Sequence, residues 1–192
     1  MQEEVPQGIG AMAAIIGLTN EQVDEVCKAA GTVGICEGAN YNCPGQVAIS
    51  GEAAAISKAC EVAIEMGAKR AVPLAVSGPF HSSMLKGAGE KLAVELANVS
   101  FSDMKIPVIT NVTADFVPGA DAIRDILAKQ VSCSVRWEDG IRRMIADGVD
   151  TFIEIGPGKA LSGFMKRIDK TKTIGNVGDL KSLEATLKIL EG

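Results

Sequence analysis

The chain is 192 residues long, with 47% hydrophobic, 22% charged and 4% aromatic content, the mixture of a globular protein rather than of a disordered or fibrous one. Nineteen Lys and Arg against 24 Asp and Glu give a formal charge of −5, and so acidic a chain with few aromatic side chains argues against a nucleic-acid partner. The longest uncharged apolar stretch, Ile9 to Leu18, contains two glycines and is far shorter than the ~20 residues of a membrane span.

Glu3 and Glu4 stand where a secretory signal places positive charge, and no transit pattern follows, so the expectation is a cytoplasmic protein with no membrane association. Its five cysteines, Cys27, Cys36, Cys43, Cys60 and Cys133, form no Cys-x-x-Cys and are expected to be reduced packing thiols. One histidine, His81, is too few for a Cys/His zinc site within one copy, and no metal is expected.

Along the chain, the apolar run Ala11 to Ile16 predicts a strand. Thr19-Asn20-Glu21-Gln22 then has the form of a capping box, and Val23, Val26, Cys27 and Ala30 recur at the spacing of one helix face. Two extended segments follow, Val33 to Ala39 and Gln46 to Ser50, with Asn40 to Gly45 read as their connection because Pro44-Gly45 marks a turn. A second helix places Ile56, Ala59, Cys60, Ala63 and Ile64 on one face and stops at Gly67; a strand then covers Ala71 to Val76. The order β-α-β-β-α-β is that of a ferredoxin-like lobe, expected over residues 9–77.

Beyond it, helices are predicted at Ser82–Ala97, Asp121–Val131, Trp137–Asp147, Ala160–Ile168 and Asp179–Leu190, and strands at Pro107–Val112, Thr151–Ile155 and Thr173–Val177. Strands separated by whole helices need crossover connections, which imply a parallel sheet. Three strands are few for such a sheet, and its edge invites pairing with another chain.

His81 follows the stiff Gly78-Pro79 turn at the start of a predicted helix. The positive end of that helix suits a neutral imidazole acting as general base; the plainer alternative is a structural or surface histidine. A base needs a nucleophile, and the serine elbow Gly-x-Ser-x-Gly is absent from these residues. Cys43 and Cys133 are conceivable thiol nucleophiles, with packed thiols the simpler reading. The segment Glu154 to Gly163 is either a ligand-binding loop at the end of a parallel strand or a tight strand-to-helix turn, and its Lys159 lacks the spacing of a phosphate-binding loop.

Four stretches taken together closely resemble one family. They are Ala39-Asn40-Tyr41-Asn42-Cys43-Pro44-Gly45-Gln46-Val47, Ser77-Gly78-Pro79-Phe80-His81-Ser82-Ser83, Gln130 with Val135-Arg136-Trp137, and Glu154-Ile155-Gly156-Pro157-Gly158-Lys159. The family is that of malonyl-CoA:acyl-carrier-protein transacylase, and the resemblance runs in unbroken order from Met1 to about Ile168. It implies a fold of class α/β, with the ferredoxin-like lobe joined to part of a parallel-sheet, hydrolase-like domain made of residues 1–8 and 78–192. It also implies transfer of a malonyl group from coenzyme A to the phosphopantetheine thiol of acyl carrier protein, with no cofactor. By the same resemblance His81 matches the general base and Gln130 the residue whose main-chain carbonyl holds that imidazole. Asn40 and Asn42 match asparagines of the acyl cleft, and Phe80 matches the malonyl-type rather than the methylmalonyl-type motif.

The family's elbow serine, the glutamine of its oxyanion loop and its carboxylate-binding arginine have no counterpart in this sequence. The expectation is therefore the His half of a site, completed by a missing N-terminal section in trans or by a second copy. The rival expectation is a non-catalytic module that binds acyl carrier protein or a synthase partner. Because acyl carrier proteins are acidic, Lys166, Arg167, Lys170 and Lys172 form a candidate docking patch; the plainer reading is a set of solvated helix-end charges.

Overall fold

Residues on both faces of Gly10–Ile16 (β1) are buried or half-buried, Ala13 and Ile15 in one apolar cluster and Met12 in another, and the strand has a paired neighbour on each side. The computed structural model describes residues 3–76 and 78–191. Met1 and Ser77, where the resemblance and the loop motif begin and the expected lobe ends, lie outside the described residues. β1 pairs with β3 (Gln46–Glu52) and β4 (Arg70–Pro73), and β3 pairs with β2 (Cys36–Cys43), so the sheet runs β2-β3-β1-β4 with every pair antiparallel. With α1 (Asn20–Ala30) and α2 (Ala53–Glu65) between the strands, this is the expected βαββαβ lobe.

Both helices pack on one face of the sheet. Ala13, Ile15, Val47 and Ile49 meet Val23, Val26 and Ala30 of α1 and Ile56, Ala59 and Ala63 of α2 in one buried cluster. Each fully buried branched side chain there stabilises the fold by about 1.5–3 kcal/mol. Met12, Ala39 and Ala48 form a second, smaller cluster, against which Phe80 packs. The lobe thus has helices on one face and the residue before His81 on its smaller apolar cluster.

The capping box is formed: Gln22 N–H donates to Thr19 Oγ1 at 3.3 Å while Thr19 N–H donates to Gln22 Oε1 at 2.9 Å. The turn after β2 is tighter than the sequence suggests. Cys43 is already paired with Gln46, leaving only Pro44 and Gly45 between them, with Gly45 at φ 72°. Asn40 and Asn42 therefore lie on β2 and not in the connection. Ladder bonds outweigh their low strand propensity: Asn40 is opposite Ala48 and also bridges to Val135. At its other end β2 begins at Cys36 rather than Val33, because Thr32 and Val33 turn back to bond the Ala29 and Ala30 carbonyls of α1.

After the lobe come a single 3₁₀ turn at Ser83–Leu85 and α3 (Lys86–Leu96), then α4 (Ala120–Gln130) and α5 (Trp137–Ala146). The strand expected at Pro107–Val112 is not formed. Residues 108–117 fold back on themselves instead, with Val117 N–H donating to the Val108 carbonyl and Thr113 and Asp115 side chains bonding nearby backbone. Local Thr/Asp turn chemistry prevails over an apolar run that has only the isolated Ile109–Phe116 bridge to pair with among the described residues.

The described residues fall into two compact units that divide between Gly140 and Ile141. In the second unit β5 (Thr151–Ile155) and β6 (Thr173–Val177) pair in parallel, with α6 (Ala160–Ile168) crossing between them and α7 (Leu180–Leu190) following. Two of the three expected parallel strands are thus present. Among the described residues no helix is long and apolar enough to cross a membrane.

Candidate active site

His81 has a positive φ of 56°, a conformation unusual for any residue but glycine and costing about 1–3 kcal/mol unless its surroundings enforce it. Three contacts do so. Pro79 is fully buried, its ring so close to Gly10 that a side chain there would overlap it. Ser82, also fully buried, donates its hydroxyl to the Pro79 carbonyl at 2.7 Å. Ser83 donates both its amide and its hydroxyl to Glu37 of β2, each at 2.7 Å. The loop is clamped before and after the imidazole.

The ring itself lies with Nδ1 3.0 Å from the main-chain carbonyl oxygen of Gln130. A carbonyl only accepts, so Nδ1 carries the proton and the neutral ring presents Nε2 as its lone pair. Gln130 ends α4, where the last carbonyls of a helix have no partner within it. This arrangement differs from the sequence expectation, which placed His81 at the positive end of the following helix. α3 begins only at Lys86, and the Ser82 hydroxyl is turned toward Pro79 and does not cap. The helix end that meets the ring is the negative one, of α4.

His81 borders two cavities. One is an open groove of about 880 Å³ lined by Cys36, Glu37, Gly38, Tyr41, Cys133 and Ser134 among others. The second, about 250 Å³, is apolar and is lined by Phe80, Leu127, Gln130 and Val131. Three of the residues expected at the site, His81, Gln130 and Phe80, are therefore together. Asn40 and Asn42 are half-buried on β2, next to the Ser134–Val135 segment: Val135 exchanges backbone bonds with Ala39 and Tyr41, and Ser134 donates to the Gly38 carbonyl at 2.6 Å. Neither asparagine is among the residues lining the groove or the apolar cavity.

Of the candidate thiols, Cys43 is wholly buried and Cys133 lines the groove beside His81. Cys27 and Cys36 face each other across α1 and β2; the bond from the Cys27 thiol lowers the Cys36 pKa, while that bond and burial raise the Cys27 one. None of the five cysteines is in a disulfide bond. Tyr41 donates its hydroxyl to Asp24 at 2.6 Å, and burial followed by that carboxylate pushes its pKa up. Glu37, Ser83 and the Tyr41–Asp24 pair were not singled out in the sequence. Ser83 and Tyr41 stand in the stretches that carry the resemblance with no role assigned to them, and their partners Glu37 and Asp24 are distant in the chain and fall in no motif.

In the second unit, Gly156-Pro157-Gly158 connects β5 to α6 as a tight turn, and Pro157, Gly158 and Lys159 also border a cavity of about 560 Å³. Glu154 accepts from the amides of Leu161 and Ser162 and from the Ser162 hydroxyl, at 3.1, 2.7 and 2.6 Å, so the first donors of α6 already have an anionic partner. Burial alone raises the Glu154 pKa, but these bonds outweigh it and hold the carboxyl below its usual value. Lys166 and Arg167 lie exposed in the last turn of α6, with Lys170 exposed and Lys172 half-buried beyond it. Asp169 sits among them, its pKa lowered first by the Thr171 hydroxyl and amide and then by Lys172 and Arg142.

No family model matches the chain. It is 46% identical over 193 residues to the malonyl CoA-acyl carrier protein transacylase of Bacillus subtilis (strain 168), which covers 100% of this chain and 61% of that protein. With the enzyme of the same name from Escherichia coli (strain K12) it shares 42% identity over 189 residues, 98% of this chain and 61% of the relative. The crystal structure of the malonyl CoA-acyl carrier protein transacylase from Clostridium perfringens Atcc 13124 superposes with a TM-score of 0.96 at 51% identity, covering 100% of this chain and 60% of that one. A type II PKS acyl-carrier protein in complex with its malonyl-transacylase gives a TM-score of 0.95 at 42% identity, covering 98% and 61%. In sequence and in fold alike, the chain is similar to the malonyl CoA-acyl carrier protein transacylases, matched along essentially its whole length and spanning about three-fifths of theirs.

Proposed function

We propose that these residues supply the general-base side of a site that transfers malonyl from coenzyme A to the phosphopantetheine thiol of an acyl carrier protein. The observation that carries this reading is the bond between His81 Nδ1 and the Gln130 carbonyl, which fixes the tautomer and leaves Nε2 to act as base. The nucleophile is a serine on a Gly-x-Ser-x-Gly segment, which these 192 residues do not contain. Nε2 accepts the serine proton as Oγ attacks the thioester carbonyl; the imidazolium then returns that proton to the departing coenzyme A sulfur, leaving a malonyl-serine. The carrier thiol attacks this ester, again through His81, and regenerates the serine. Partial negative charge at the end of α4 offsets the positive charge the ring takes on in each half-reaction.

Phe80 forms an apolar wall on Met12, Ala39 and Ala48, and Asn40 and Asn42 are assigned to the acyl cleft on the resemblance of their motif. The chemistry runs on side chains and thioester substrates and invokes no resident cofactor or metal. A cytoplasmic setting goes with the same reading, since free thiols persist in a reducing compartment.

Because Gln130 acts through its backbone, Gln130→Ala in an enzyme completed with the serine segment is expected to keep malonyl transfer within about threefold of the parent rate, below the threshold of an essential catalytic group. A steady-state assay checks this. A loss as large as that of the His81 variant means that the side chain, not the carbonyl, holds the ring.

The proposed carrier patch makes a separate prediction. Reversing Lys166 and Arg167 to Glu is expected to slow carrier association, by an amount that shrinks as salt is raised, while the half-reaction with malonyl-CoA stays near the parent rate. Stopped-flow association at several ionic strengths measures it. Equal losses for both substrates, or a salt-independent loss, assign these residues to folding instead.

A further inference from the structure

We infer that Glu37 is a positioning residue for His81: by bonding both the amide and the hydroxyl of Ser83, it locks the left-handed turn that aims the imidazole at the Gln130 carbonyl. The inference rests on the proposed role of His81 as base and names the group that holds that base in register.

The geometry is specific. Both carboxylate oxygens of Glu37 are used, Oε2 by the Ser83 amide and Oε1 by the Ser83 hydroxyl, at 2.7 Å each. These are charge-assisted bonds, stronger than neutral ones, and they attach the loop two residues after His81 to a strand 46 residues earlier. On the other side the loop is held by Ser82 on Pro79 and by Pro79 against Gly10. The Ser82 bond closes the turn around His81 onto Pro79, whereas Glu37 ties the next residue to the sheet; without that tie the turn is less constrained to keep His81 at its φ of 56°. The ring then swings away from Gln130. Glu37 and His81 also line the same groove, so the clamp sits at the edge of the site and not in the lobe's core.

The test exploits the fact that the chain has one histidine, so its two ring nitrogens are read by ¹⁵N NMR without assignment. The full chain is labelled with ¹⁵N-histidine and observed at a pH where the ring is neutral. The parent chain is expected to show Nδ1–H as the major tautomer. In Glu37→Ala the Nε2–H form, which free histidine prefers, is expected to become the major one. Glu37→Gln retains one acceptor oxygen and Ser83→Ala retains the backbone bond, so both are expected to be intermediate; Ser83→Ala removes only a hydroxyl and guards against loss of the fold. A Glu37→Ala chain that is folded and still shows the parent's Nδ1–H tautomer overturns the positioning role while leaving the base assignment standing. A parent chain in the Nε2–H form overturns the base assignment itself, and the positioning role with it.

Discussion

In an enzyme completed with a Gly-x-Ser-x-Gly segment, His81→Ala is expected to lower malonyl transfer by about 100- to 10,000-fold, the usual contribution of a positioned general base. Serine is a weak nucleophile at neutral pH, and no other imidazole exists in the chain to take its place. The loss should appear in kcat and in kcat/KM alike, because the proton transfer belongs to the transition state and not to substrate binding. Binding of malonyl-CoA, measured by calorimetry, should change little. A variant that retains near-parental turnover shows that His81 is structural, as its clamped loop would also permit.

The second large effect concerns the 192 residues by themselves. Incubated with malonyl-CoA, they are expected to form no covalent malonyl adduct, because the sequence has no Gly-x-Ser-x-Gly elbow to present a serine to His81 and the oxyanion donors of the family have no counterpart in it. Losing a nucleophile removes most of the rate enhancement of such an enzyme, whatever remains of its base. Intact-mass spectrometry reads this directly. The informative alternative is an adduct on Cys133, the thiol that lines the groove beside His81, which would replace the serine mechanism with a thiol one. Cys43, wholly buried, is not expected to react.

Much of the lobe was legible because its signals are local. Thr19 and Gln22 mark the start of α1, the spacing of Val23, Val26, Cys27 and Ala30 marks its buried face, and Pro44-Gly45 marks the hairpin. What failed depended on partners elsewhere. The Pro44-Gly45 signal suggests a longer connection that takes in Asn40 and Asn42, whereas pairing of Asn40 with Ala48 and Val135 and of Cys43 with Gln46 carries the strand through both. Pro107–Val112 was read as a strand because its apolar pattern fits one, yet a strand needs a ladder, and Thr113 and Asp115 supply a turn instead.

The site shows the same division. His81 and Gln130 were paired only through the resemblance of their motifs, since the contact uses a backbone carbonyl and no residue type advertises it. The local pattern places His81 at the positive end of a helix that begins at Ser82. The Ser82 hydroxyl bonds Pro79 instead, and the helix dipole that reaches His81 comes from α4, which periodicity alone could not place there. Glu37 was invisible for the same reason: its partners are an amide and a hydroxyl from another part of the chain.

The central claim is the proposal that these residues carry the general base of a site whose nucleophile, oxyanion donors and carboxylate-binding arginine are not among them. The most direct measurement is to combine the chain, by fusion or in trans, with a segment bearing Gly-x-Ser-x-Gly from one of its relatives, add malonyl-CoA, and locate any malonyl group by mass spectrometry. The account predicts a malonyl group on the elbow serine that acyl carrier protein then removes, present with His81 and absent with His81→Ala. A folded combination that leaves the serine unmodified, or one that is modified equally well without His81, contradicts it.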